Sequence, residues 1–394
     1  MAAEILDLPT LPGYLLPGGL RRGLLRPELP RDPKFVASYE DRILFYDAFW
    51  DVTGRQIIVH GPLAIDLKPH YRQARYVARP SGAVLKPKPH HSTRVELYGL
   101  KAPPDTTHLE VTFAGHVLTL PVGESYARHF AGENLLFTLS RNNDLDWIAD
   151  WARFHVVNQG VTAVLLFDNA SDRYGLDDIA ARLAAIEGLR KISVIPVPHR
   201  YTDRDEAMRK TPFWAHFLQP SMMLNMFRRY GPLANGILNC DIDELAVPTG
   251  GETVFETARA SRSGTVYFRG RWIEPVPGEV HADGYRHADF RLIKPGTDIT
   301  RGRTTQKWAV DPDRKWLRNL SIHPHTHLFA NRPWFTRHKP TTAYIAHFRA
   351  ISTSWARARP VTPERPPGLI EDTLLSRALD RAFPELAARG RPAS

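Results

Sequence analysis

A single cysteine, Cys240, stands among 394 residues. That scarcity excludes an intramolecular disulfide framework and any zinc site built on cysteines, and it fits a reducing compartment. Nowhere do about eighteen apolar residues follow one another, as a membrane-spanning helix needs. Residues 1–4 lack the basic start and long apolar stretch of a secretory signal. A soluble cytoplasmic protein is the expectation. Neither a dinucleotide-binding glycine fingerprint nor a P-loop occurs, so any phosphate bound here must be neutralised by a metal and basic side chains. No stretch interleaves basic and aromatic residues in a nucleic-acid-binding pattern, and nucleic acid is not an expected partner.

What is present is an ordinary globular composition, 43% apolar and 24% charged, in a chain long enough for roughly two or three domains. The net charge of +10 is unevenly placed: residues 251–394 hold 24 basic and 14 acidic side chains, against 16 and 14 in 1–133 and 12 and 14 in 134–250. An excess confined to the last third suits a phosphorylated ligand or an anionic membrane surface.

Residues 1–35 are rich in proline, with paired leucines and Arg21-Arg22, and read as an extended arm. The arm can either make peripheral membrane contact or pack along a neighbouring domain; the second is expected. From 36 to 130, short β-like runs at 43–46, 56–59, 94–98, 108–113 and 117–120 predict a small antiparallel β domain without a legible chemical role. His90 and His91 fall on a surface loop there, since neighbours on a strand would face opposite ways.

At 131 the texture changes. Apolar runs at 134–139, 162–167 and 192–197 alternate with helical patterns around 144–159 and 178–186, the first capped by Asn143 or Asp144 and ended by Gly160. This βαβαβ order predicts an α/β domain over 131–360, with a mainly parallel sheet flanked by helices and ligands at the carboxyl ends of its strands. Residues 361–394 read as a loop and a terminal helix at 371–389.

Three polar stretches fall at such strand ends: 140–143, 168–172 and 241–244. The last, Asp241-Ile242-Asp243-Glu244, places three carboxylates within four positions after the apolar run 236–238. Crowded carboxylates near an apolar core need a cation or hydrogen-bond donors. On a continuing strand Asp241 and Asp243 would share one face, suited to Mg²⁺ or Mn²⁺, and Glu244 would take the other.

Together these residues resemble the DxD-containing glycosyltransferases of the GT-A fold, in the family 2-like and family 92-like group. The resemblance rests on Asn142, Trp147 and His155, then Gly160-Val161, then Asp168-Asn169-Ala170-Ser171-Asp172, then Asp241 to Leu245, and last Ala346-His347-Phe348-Arg349. It spans about 134–360 and departs at Asn143, where an acidic residue is expected, and at Leu245, where an aromatic one is. It implies a nucleotide-sugar donor whose nucleoside lies against Ser140, Asn142, Asp168, Asn169 and Asp172. It further implies Mn²⁺ or Mg²⁺ on the donor diphosphate, held by Asp241, Asp243 and His347, and a carbohydrate or lipid-linked acceptor.

Lys307, Arg269, Arg271 and Arg349 are the candidate diphosphate contacts, with Lys307 and Arg349 foremost. Glu274 or Asp283 is the candidate base of an inverting transfer. Two other readings use the same residues: a metal-dependent phosphoesterase built on the acidic cluster with His323, His325, His327 and His347, and a non-catalytic glycan-binding protein.

Overall fold

The computed structural model describes residues 2–90, 92–279, 284–296, 304, 306–319, 322, 329, 342–353, 360–362 and 364–387. Asp283, His91, His323, His325 and His327 lie outside them.

The molecule is mixed α/β around a seven-stranded sheet, in the order Glu4–Ile5, Lys191–Pro196, Ala163–Asp168, Asn134–Ser140, Gly236–Asn239, Lys307–Val310, Thr265–Phe268. The first five strands run parallel and the last two pair antiparallel. Parallel strands are buried on both faces, which is why they read as unbroken apolar runs. Alternate side chains divide between two cores. Leu136, Val164, Leu166 and Leu238 meet the helices Leu145–Gln159 and Leu176–Ala184 on one side. Leu135, Phe137, Leu165 and Ile237 meet the helix Leu218–Asn225 on the other.

Asn134–Ser140 lies at the centre, with successive strands added to one side and Gly236–Asn239 to the other. The chain therefore reverses its winding between these two strands, and such a switch point opens a crevice at their carboxyl ends. Both candidate segments, 140–143 and 241–244, leave the sheet there.

The helix Leu145–Gln159 begins where Asp144 accepts a hydrogen bond from the Asp146 amide and ends at Gly160, whose φ of 68° is left-handed. A second, three-stranded sheet follows the acidic segment: Glu244–Pro248 pairs antiparallel with Ala343–Phe348, which pairs parallel with Gly270–Ile273. Gly270 permits that approach, since a Cβ there would lie 1.8 Å from the Ile345 carbonyl oxygen.

Residues 36–130 form two four-stranded antiparallel sheets, one of Asp47–Trp50, Ile57–Pro62, Val95–Leu100 and Lys88–Pro89, the other of His116–Pro121, His108–Phe113, Arg75–Arg79 and Val84–Leu85. A buried ion pair ties them to the main body: Asp47 meets Arg229 at 2.7 Å, with Asn225 donating to the same carboxylate at 3.0 Å. Arg229 sits in a π-helical turn, Met226–Tyr230, that continues the helix Leu218–Asn225.

The arm packs on the protein. Glu4–Ile5 extends the main sheet, and Leu6, Leu8 and Leu11 are buried in its second core. Among the described residues no helix is long and apolar enough to cross a membrane. The last helix, Thr373–Ala382, is shorter than 371–389, because Phe383 leaves helical geometry and Pro384 starts a separate short turn.

Candidate metal centre

The main-sheet strand Gly236–Asn239 stops at Asn239, and the chain turns before the next strand begins at Glu244. The Glu244 amide closes this turn on the Asp241 carbonyl at 3.0 Å. The alternation expected of a continuing strand is therefore wrong for 241–244. A turn rotates successive side chains away from a two-residue repeat, and here it separates Asp241 from Asp243 and brings Asp243 and Glu244 together.

Opposite them is His347. Register places it across from Glu244 in the second sheet. Its Nε2 lies 3.1 Å from Asp243 Oδ2 and its Nδ1 lies 3.3 Å from Glu244 Oε1. One ligand atom from each of Asp243, Glu244 and His347 falls within 4.8 Å of the others. Glu244 is wholly buried and Asp243 about a quarter exposed. Glu244 Oε1 and His347 Nδ1 are both buried without a hydrogen bond, an arrangement a bound cation would satisfy. Two carboxylates and an imidazole make an acceptable donor set for a divalent metal.

Asp241 turns the other way, to Lys307. The Lys307 ammonium is buried between Asp241 Oδ2 at 2.5 Å and Glu244 Oε2 at 2.9 Å. Burial opposes its charge, yet the two carboxylates outweigh burial and raise its pKa. Burial lifts Glu244 to about 7; Lys307 and His347 oppose that rise while Asp241 and Asp243 add to it. His347 is likewise raised, since Asp243 and Glu244 overcome the cost of burial.

The two neighbouring loops interlock. Ser171 Oγ accepts from the Asn142 amide at 2.8 Å and donates to Asp168 at 2.6 Å, and the Asp172 amide donates to Asn142 Oδ1 at 2.9 Å. Asn142 and Ala170 both adopt a φ of 54°, held by these bonds. Ser140 is buried, with its Oγ accepting from Asn143 at 2.9 Å. Asn169 is anchored on the Val197 and His199 carbonyls, each at 2.8 Å. Of the five loop residues proposed for the nucleoside, Ser140, Asp168 and Asn169 thus brace the loops, while Asn142 is half-buried and Asp172 exposed.

Arg349 lies over the Trp272 ring at 4.8 Å and 3.6 Å from Glu274. Trp272 packs its ring 4.0 Å from that of His347. Arg271 is drawn off to Asp372 at 2.9 Å and to the Tyr344 ring, and Arg269 is exposed.

His155 and His287 support the acidic turn from behind. The Ala246 amide donates to His155 Nε2 at 3.0 Å, and His155 Nδ1 bonds the Trp151 carbonyl at 2.8 Å. His287 Nε2 meets the Ile242 carbonyl at 2.9 Å, and its ring packs edge-on against Phe348. Trp272 and His287 were not assigned roles from the sequence. Only contacts across the fold reveal them.

These features define a mixed α/β protein with a candidate divalent-metal centre at a parallel-sheet switch point. Comparison with protein-family models and with curated proteins finds no match to this chain.

Proposed function

We propose that the chain is a metal-dependent glycosyltransferase that moves a sugar from a nucleotide-sugar donor to a carbohydrate or lipid-linked acceptor. The supporting observation is the Asp243–Glu244–His347 cluster at the end of the central strands, beside two interlocked polar loops. Mn²⁺ or Mg²⁺ held there would supply Lewis-acid stabilisation to the oxygens of a departing nucleoside diphosphate. Lys307 fixes the acidic turn from beneath, and Arg349 adds a cation beside Trp272 for a diphosphate oxygen. Asn142 and Asp172 present polar groups to the nucleoside. Glu274 is the candidate base toward the acceptor hydroxyl.

The test is thermal stability across a panel of nucleoside diphosphates with and without Mn²⁺, because a ligand bound only by the native state raises its stability. A synergistic rise with one base, lost in Asp243→Ala and His347→Ala, is expected. Absence of synergy with every base would defeat the proposal, and two metals bound without any nucleotide would favour a phosphoesterase.

A further inference from the structure

Away from the acidic turn, a cavity of about 600 Å³ opens between the helices Leu145–Gln159, Leu176–Ala184 and Thr373–Ala382. Its size lies within the range of small-molecule sites. Its lining includes four arginines, Arg153, Arg182, Arg286 and Arg381, against two carboxylates, Asp150 and Glu187. Guanidinium groups gathered from separate elements repel one another unless an anion lies among them.

The existing partners leave them unequally compensated. Asp150 is buried and gripped by Arg286, which donates through Nε at 2.8 Å. Arg153 pairs with Glu385 and Arg182 with Asp146, but these pairs are about two-fifths to one-half exposed, and such surface pairs contribute little. Their arginines can therefore turn to a better acceptor at small cost. Arg381 is held by an amide. Its Nε and Nη2 donate to Asn158 Oδ1 at 3.2 and 2.8 Å, and Asn158 is itself fixed by donating to the Phe154 and Ala378 carbonyls at 3.1 Å. Among the described residues Arg381 has no carboxylate partner, so its charge is positioned without being cancelled. Planar guanidinium forks match phosphate oxygens two at a time.

We propose that this cavity binds a small, multiply charged phosphate compound, at a site separate from the acidic cluster. The proposal is independent of the transferase reading.

Inorganic pyrophosphate is the probe. It is titrated calorimetrically into the full chain in EDTA at fixed ionic strength, and hydrogen exchange is followed with and without it. Expected are saturable binding, about tenfold weaker in Arg381→Gln and unchanged in Arg262→Gln, whose side chain is exposed elsewhere, and slowed exchange in 149–157 and 376–384. Arg182→Gln, on an exposed helix face, should weaken binding too, and serves if Arg381→Gln disturbs packing. Absence of saturable binding, equal weakening by Arg262→Gln, or protection confined to 239–245 would overturn the proposal.

Discussion

The Ala246 amide donates to Nε2 of His155 across 3.0 Å. An imidazole nitrogen that accepts carries no proton, so Nδ1 is the protonated atom and donates to Trp151, and the ring is neutral. Replacing it with leucine leaves a buried amide unpaired. His155→Leu should cost about 2 kcal/mol at pH 7.5, measured by urea denaturation.

That cost should shrink on acidification. Burial, as the main cause, depresses the His155 pKa to about 3. Below about pH 6.5 the unfolded chain takes up a proton there that the folded chain refuses, so the native protein loses what His155 contributed. Between pH 7.5 and 5 the difference between wild type and His155→Leu should narrow by about 2 kcal/mol, from roughly 1.4 kcal/mol per unit below 6.5. A constant difference would contradict the neutral assignment.

Gln159 lies one helical turn further on. Its amide nitrogen donates to the Ala246 carbonyl at 2.8 Å and its oxygen accepts from the Val254 amide at 3.0 Å. Gln159→Leu strands both groups in the core and should cost about 3 kcal/mol, read from the same denaturation midpoints.

Lys307 is the buried cation shared by Asp241 and Glu244 in the acidic turn. Lys307→Met leaves Glu244 and Asp241 facing each other and should destabilise by about 3–5 kcal/mol. Adding Glu244→Gln should return part of that loss, because the neutral amide no longer needs a counter-ion. A double variant as unstable as the single one would count against this account.

Asp47 and Arg229 join the amino-terminal sheets to the main body through a pair that is almost wholly buried. Asp47→Ala should destabilise by about 3–5 kcal/mol. The two parts should then melt in separate calorimetric transitions if this pair couples them.

How much of this was legible follows from what sequence periodicity encodes. Runs such as 134–139 and 162–167 announce themselves because a strand covered on both faces can carry nothing but apolar residues. Asp144 and Gly160 mark helix ends for equally local reasons. The acidic segment was legible as chemistry but not as shape: nothing in Asp241-Ile242-Asp243-Glu244 distinguishes a strand from the turn that hands Asp241 to Lys307. Trp272 and His287 reach the site from 28 and 43 residues beyond Glu244, through pairings that no local pattern records. The bond between Asp47 and Arg229, one of the contacts that attach the amino-terminal sheets, spans a longer stretch of sequence still and is equally silent.

Cys240 is the one thiol in the chain and is buried one residue before the acidic turn, its Sγ–H donating to the Glu244 carbonyl at 3.2 Å. Burial, reinforced by Glu244, pushes its pKa well up, so the closed protein resists alkylation. The molecule thus carries a built-in stopwatch: each alkylation event marks one opening at the root of the acidic turn, and its rate with and without added cation times how long that turn stays shut.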